Sequence, residues 1–127
     1  HLSEDSKLAV IHNGIIENHD ALKKVLLEKG VKFHTDTDTE VVAHLIAGFY
    51  EKDLLQAVHR ALPLLKGSFA IALIHSDFPD RIVAFAKEAP LCVGLGNGET
   101  YLSSEPNAFS SRVKEVVYLQ EKEIAIL

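Results

Sequence analysis

An α+β fold with antiparallel sheets is predicted by the order of two periodicities along the chain. From Asn18 to Leu65 apolar residues recur at the helical interval of three and four. From Ser68 to Ile126 they fall into short runs and alternations separated by turn residues. Helices that cluster early, followed by strands at hairpin spacing, favour helices layered on antiparallel sheets over the strand–helix alternation of a doubly wound sheet. Composition supports one packed unit. The 127 residues are 47% hydrophobic and 24% charged, and a chain of that size can bury roughly two thirds of the surface its unfolded form exposes.

The run Lys7 to His12 predicts a strand, and Asn13-Gly14, a pair suited to turns that need positive φ, predicts that it ends in a tight turn. Ala21, Leu22, Val25 and Leu26 then mark one face of a helix near 18–29, with Gly30 closing it. After an extended piece around Val31 to His34, Thr37-Asp-Thr-Glu40 matches a capping box. There the Thr oxygen accepts from one free backbone N–H and the Glu carboxylate reaches back to another. The helix beginning at that box should bury Val41, Val42, Leu45, Ile46 and Phe49, and a third carries Leu54, Leu55, Val58, Leu62 and Leu65 up to Gly67. Strands are expected at Ser68 to His75, Arg81 to Ala86, Leu91 to Leu95, Thr100 to Ser103, Glu115 to Leu119 and Glu123 to Ile126. Asp77 to Asp80, Gly94 to Gly98 and Gln120 to Lys122 read as their turns.

Charge and hydropathy exclude several functions. Lys and Arg number 13 against 18 Asp and Glu, a net charge of −5, and the basic residues are scattered. Nucleic acid is therefore not an expected partner. The apolar runs Phe69 to Ile74 and Ala89 to Leu95 fall well short of the roughly 20 residues that span a bilayer, so no membrane partner is expected either. A single cysteine forms no internal disulfide, which agrees with a reducing compartment and makes the cytoplasm the expected location. The chain contains no Met and opens on His1, which reads as processing or truncation.

Two constellations could carry chemistry. In His12-Asn13-Gly14-Ile15-Ile16-Glu17-Asn18, an Asn side-chain amide beside an unobstructed Gly N–H can offer two donors to one developing oxyanion. Spacing alone favours an ordinary turn there. In the segment His34 to Glu40, with His44 one turn beyond, His34, Asp36, Asp38, Glu40 and His44 could converge on a metal. The glycine and the bidentate glutamate of an EF-hand loop are missing, so a helix start favoured by acidic residues is the better reading and no metal is expected. Asp38, a carboxylate at that helix start, could hold a ligand ammonium. Cys92 sits in a strand without a neighbouring cation and reads as structural. Gly94-Leu-Gly96-Asn-Gly98 misses the dinucleotide fingerprint and reads as a hairpin turn. His19, His59 and His75 are expected at the surface or at helix ends.

Four stretches resemble, in order, the glutaminase domain of the glucosamine-6-phosphate synthase family, which are class II amidotransferases. They are His12-Asn-Gly-Ile-Ile-Glu-Asn18, Thr37-Asp-Thr-Glu-Val-Val-Ala-His-Leu45, Leu65-Lys-Gly-Ser-Phe-Ala70 and Ala89-Pro-Leu-Cys-Val-Gly-Leu-Gly96. The resemblance implies the N-terminal-nucleophile hydrolase fold, two stacked antiparallel sheets between helical layers, with residues 1–127 forming the C-terminal part of the glutaminase domain. It implies a reaction in which a cysteine at the mature N-terminus attacks the glutamine side-chain amide, using its own α-amino group as base. Asn13 (side chain) and Gly14 (backbone N–H) would then form the oxyanion hole, and Asp38 would hold the α-ammonium of glutamine. The ammonia would pass to fructose 6-phosphate in a separate isomerase domain, and no cofactor is implied.

The sequence departs from the family pattern where the chemistry would begin. No cysteine stands at position 1, Cys92 lies within a strand, an Arg-containing loop expected upstream is absent, and Ser104-Glu105 stands where relatives carry Ser-Asp. The expectation is a piece of an aminotransferase that is inert by itself. Its partners would be glutamine and, through the absent isomerase domain, a sugar phosphate. Unpaired sheet edges would favour self-association into a homo-oligomer. The alternative is a non-catalytic amino-acid-binding or assembly module that retains the fold.

Overall fold

A computed structural model describes residues 1–105, 108–109, 112–120 and 123–127. Strand β1 (Leu8–Ile16) is followed by helices α1 (His19–Glu28), α2 (Asp38–Phe49) and α3 (Leu54–Ala61) and a 3-10 turn at Leu62–Leu64. Strands β2 (Gly67–His75), β3 (Phe78–Lys87), β4 (Cys92–Gly96), β5 (Thr100–Ser103), β6 (Val113–Tyr118) and β7 (Ile124–Ile126) complete the order. They form two sheets, β1-β2-β3-β7 and β5-β4-β6, with every neighbour antiparallel. The α+β class and the early helices hold. β1 lies at one edge of the larger sheet, paired with β2 from across the helical segment. Of the turn expected at Gln120 to Lys122, residues 121 and 122 lie outside the described residues.

The two faces of the larger sheet are sorted by side-chain size. Along β2 and β3, Phe69, Ile71, Leu73, Val83 and Phe85 join β1's Leu8, Val10 and Ile16 in one core with Val42, Ile46, Leu54 and Val58 of the helices. Phe69 and Phe85 meet edge to face at 6.4 Å, and each large side chain withdrawn from water contributes about 1.5–3 kcal/mol. On the alternate positions Ala70, Ala84 and Ala86 are buried with Leu91, and Ala72, Leu102, Leu119 and Ala125 pack against them. The molecule is thus layered as helices, a four-stranded sheet, and a three-stranded sheet resting on an alanine face. β1 runs past that cover, leaving Ile11 at 71% and Ile15 at 65% exposure.

The turn expected at Asn13-Gly14 is not formed. β1 continues through both residues to Ile16, with Asn13 opposite Ala70 and Gly14 opposite Phe69. The positive φ that the pair suggested is present at Gly14 (+101°), but inside a strand, where a Cβ would lie 2.2 Å from Ser68 O. Gly67, opposite Ile16, mirrors it: φ is +128° and a Cβ would lie 2.2 Å from Ile15 O. Two glycines on facing strands therefore let the backbones meet where side chains would part them. β3 also starts earlier than Arg81, because Phe78 pairs with His75 across a two-residue turn. His75 itself, expected at the surface, is only 4% exposed. Its Nδ1 accepts from Asp77 N–H at 3.0 Å, and its ring stacks on Tyr50 at 4.3 Å, tying the end of α2 to the β2–β3 turn. Tyr50 donates to Asp77 at 2.7 Å.

α1 closes at Gly30 as expected, with Gly30 and Val31 N–H bonded to Leu27 O and Leu26 O. Val41, Val42, Leu45 and Ile46 are buried, and so are Leu54, Val58 and Leu65, while Val25 is not. α1 packs against α2 at the surface and buries only Leu26. Among the described residues no helix is long and apolar enough to cross a membrane.

Glycine substitutions separate these constraints. Gly14→Ala and Gly67→Ala are each expected to lower stability by more than about 2 kcal/mol, from backbone strain plus a forced strand separation. Gly48→Ala, in α2 with open space around it, should raise stability by about 0.5–1 kcal/mol. Urea denaturation of the three variants measures both signs, and a stable Gly14→Ala would refute the close approach.

Candidate functional site

β1 has one edge paired with β2 and one edge open. The bonds Ser76 N–H to Lys7 O and Glu17 N–H to Lys66 O set the phase of the ladder: odd-numbered residues of β1 exchange hydrogen bonds with β2, and even-numbered ones face the open edge. Along that edge, Leu8 and Val10 are satisfied by the chain's first residues, through Leu8 N–H to Ser3 Oγ and Val10 N–H to His1 O. Ile16 N–H donates to Asp38 Oδ2 at 3.2 Å. Gly14 N–H lies between these covered stretches, directed outward. Asn13 and Gly14 together line an opening with Ser68, Ala70, Pro90 and Ser104, and Asn13 also borders a neighbouring one with Leu91 and Leu102.

Asp38, the first residue of α2, is brought to the same strand but does not line the opening that Asn13 and Gly14 share. Its side chain is 22% exposed, and its Oδ2 receives Ile16 N–H, so the helix N-terminus and the strand edge are joined by one carboxylate. Among the described residues no hydrogen bond engages its Oδ1. His12, with a side chain only 8% exposed, fills the angle between strand and helix. Its Nδ1 is 2.5 Å from Thr39 Oγ1, and its Nε2 is 2.9 Å from Gly14 O and 3.5 Å from Asp38 Oδ2. A carbonyl only accepts, so Nε2 carries the proton and Nδ1 accepts from Thr39. The other end of the motif is tied as well. Asn18 Nδ2 donates to Leu64 O at 2.7 Å and its Oδ1 accepts from Lys66 N–H at 3.0 Å, prolonging the β1–β2 ladder with a side chain.

His12 and Thr39 meet between Gly14 and Asp38, and motif reading gave neither a role. A signal was present: Leu8, Val10, His12, Gly14 and Ile16 share one strand face, and a histidine within a buried apolar series needs partners.

The capping box at Thr37 to Glu40 is replaced by a larger arrangement. Thr37 is the N-cap, yet its side chain caps nothing. Glu40, 3% exposed, turns instead to the preceding loop. Its carboxylate accepts from His34 N–H (2.9 Å), Thr35 N–H (2.8 Å), Thr35 Oγ1 (2.8 Å) and His44 Nε2 (3.0 Å). Burial raises its pKa, but the hydrogen bonds from His34, His44 and Thr35 outweigh burial and hold it at about 2, against an ordinary 4.5. The box failed because Glu40 found more donors in the loop than the N-cap could offer.

The remaining candidates fall into structural roles. Glu40 and His44 pair with each other, whereas Asp38 accepts from Ile16 N–H of β1 and Asp36 lies near Lys23 at 3.9 Å. Among the described residues no group of three or more His, Cys, Asp or Glu side chains is placed to hold a metal. Cys92 is buried in β4, its Sγ donating to Ser103 O at 3.3 Å, and burial raises the thiol pKa. Gly94 and Gly96 lie within β4, which pairs with β5 as a hairpin around Asn97-Gly98. His19 stands at the start of α1 and His59 is exposed in the last turn of α3.

Residues 1–111 match the glutamine amidotransferase domain family. Over the whole chain there is 46% identity to a glutamine–fructose-6-phosphate aminotransferase (isomerizing) of Caldanaerobacter subterraneus subsp. tengcongensis and 47% to one of Aquifex aeolicus. The chain spans only 21% and 22%, respectively, of those relatives' lengths. Among solved structures, a glutamine phosphoribosylpyrophosphate amidotransferase from B. subtilis, complexed with ADP and GMP, aligns with a TM-score of 0.79 at 30% identity, covering 99% of this chain and 28% of that one. A structure described as the allosteric regulatory enzyme of purine biosynthesis aligns with a TM-score of 0.78 at 30% identity, covering 98% and 27%. The layered antiparallel sheets and helices expected from the motifs are thus the arrangement of these amidotransferases.

Glu40 yields a signed prediction. Its folded pKa is depressed, so its contribution is complete above pH 4.5 and is lost as pH falls toward 2. Glu40→Gln should cost roughly 3 kcal/mol at pH 7 and flatten the acid limb of the stability profile. Denaturant titrations at pH 7 and pH 3 check it, and parallel acid limbs for parent and variant would contradict it.

Proposed function

From the premise that this chain belongs to the glutamine amidotransferase domain family, we propose that the open edge of β1 is the oxyanion-stabilising and substrate-holding side of a glutaminase site. One observation carries this: the ladder leaves Gly14 N–H directed outward beside Asn13 at a shared opening. When a thiolate attacks the glutamine side-chain amide, negative charge gathers on the amide oxygen. Asn13 Nδ2 and Gly14 N–H are donors beside that oxygen, Gly14 N–H directed by the ladder, and donors aimed at the developing charge favour the tetrahedral state over the planar amide. As that state collapses, the departing nitrogen takes up the proton that the α-amino base removed from the thiol and leaves as ammonia, and the glutamyl thioester that remains is hydrolysed by water. Asp38, with Oδ2 anchored to Ile16 N–H, offers its second oxygen to the substrate's α-ammonium.

Residues 1–127 are read as the C-terminal part of the glutaminase domain. In the whole protein, ammonia would be delivered to fructose 6-phosphate in a separate domain, giving glucosamine 6-phosphate, and the names of the relatives support that acceptor. A lone buried thiol fits a reducing, cytoplasmic setting. Cys92 donates into its own sheet and its raised pKa keeps it a thiol, so it supplies no nucleophile.

Two measurements test the assignment. The 127-residue chain incubated with glutamine should release no glutamate, and turnover by that chain alone would sink the proposal. Joined, in trans or by fusion, to a segment that begins with cysteine, it should hydrolyse glutamine. Asn13→Ala should then lower kcat by about a hundredfold, while Asp38→Ala should chiefly raise KM for glutamine. An unchanged KM would remove Asp38 from the site.

A further inference from the structure

Resting on that site assignment, the geometry points to His12 as a positioning residue that holds the oxyanion donors and the ammonium-binding carboxylate in register with each other. One imidazole touches both halves. Nε2–H donates to Gly14 O at 2.9 Å, and the same nitrogen lies 3.5 Å from Asp38 Oδ2, within electrostatic reach of the carboxylate at the start of α2. The Gly14 carbonyl, which only accepts, places the proton on Nε2, and in that tautomer Nδ1 receives Thr39 Oγ1–H, a second contact that braces the ring. Thr39 and the His12 side chain are both more than nine-tenths buried, so this orientation is set by packing as well as by hydrogen bonds.

Each contact has a separate consequence. Gly14 has the most permissive backbone in the strand and carries positive φ. A donor on its carbonyl limits rotation of that peptide, while the ladder pairs on either side of it, Asn13 with Ala70 and Ile15 with Ser68, hold the flanking backbone. The Gly14 N–H therefore keeps its outward direction without a partner of its own. At Asp38, Ile16 N–H and His12 Nε2–H both approach Oδ2, which leaves Oδ1 as the oxygen free for a cation. The ring is also a spacer of fixed length between the two anchors. Displacing a reacting group by about 1 Å can cost a hundredfold in rate, so a rigid spacer matters more here than an additional attractive contact.

The test has a spectroscopic arm and a kinetic arm. In the 127-residue chain, imidazole ¹⁵N spectra should show His12 with Nε2 protonated and Nδ1 bare, and the opposite tautomer would overturn the inference. In the cysteine-supplied form, Thr39→Val leaves every proposed substrate contact in place yet should lower kcat/KM roughly tenfold, through kcat and KM together. His12→Gln, which retains an N–H donor, should keep more kcat/KM than His12→Leu, which fills similar space without one, a difference that a space-filling role would not produce. If Thr39→Val and His12→Leu both stay within twofold of the parent while Asn13→Ala and Asp38→Ala have their expected effects, His12 does not position the site and the site assignment stands. If Asn13→Ala and Asp38→Ala are themselves silent, the site assignment fails and the role of His12 with it.

Discussion

The close approach of β1 and β2 at Gly14 and Gly67 is the constraint on which the other features rest. With Cβ atoms at either position, the strands would part just where β1 must continue to Ile16. Continuation sets the ladder's phase, and the phase places His12 toward the helices and Asn13 toward the second sheet. It also puts Ile16 N–H within reach of α2. A tight turn at the same two residues would have left Asp38 without its strand partner and Gly14 N–H without a defined direction. Positive φ here serves apposition of two strands, which is a tertiary use of a property usually met in loops.

The second fixed point is Glu40. One buried carboxylate collects two backbone N–H groups, a hydroxyl and an imidazole, and so fastens the loop at His34 and Thr35 to the first turn of α2. Asp38 and Thr39 lie in that same turn and face β1. The loop, the helix start and the strand edge therefore form one continuous polar seam, with Glu40 on its inner side and His12 on its outer. Removing water from such a seam makes every satisfied hydrogen bond stronger and every unsatisfied one costlier. Among the described residues no buried side-chain polar atom lacks a partner.

Local pattern was sufficient where local physics decides. The helix-period residues Val41, Val42, Leu45 and Ile46 are buried as their spacing required, and Thr100 to Ser103 forms the strand its alternation suggested. It fell short where a distant partner decides. Asn13-Gly14 carries the local signature of a turn, and its pairing with Ala70 and Phe69 of β2, far along the chain, makes it strand. Thr37 to Glu40 carries the signature of a capping box, but Glu40 was drawn away by donors that spacing did not reveal. His75 looked solitary because Tyr50 and Phe78 reach it from other elements. The oxyanion and ammonium roles proposed for Asn13, Gly14 and Asp38 rest on motif resemblance, whereas the one proposed for His12 rests on its place as a polar residue on an apolar strand face.

The alanine face of the larger sheet acts as a shim. Ala70, Ala84 and Ala86 contribute only methyl groups to the layer between the sheets, and Leu91 and Leu102 rest on that surface. The opening beside Asn13 is bounded by Ala70, Leu91 and Leu102, so its width is measured in the same methyl-sized increments as the layer spacing. The two sides of one sheet consequently tolerate different errors. On the helix side a lost methylene leaves a void, whereas on the alanine side an added one is a wedge that tilts the smaller sheet and alters the aperture through which a substrate would enter.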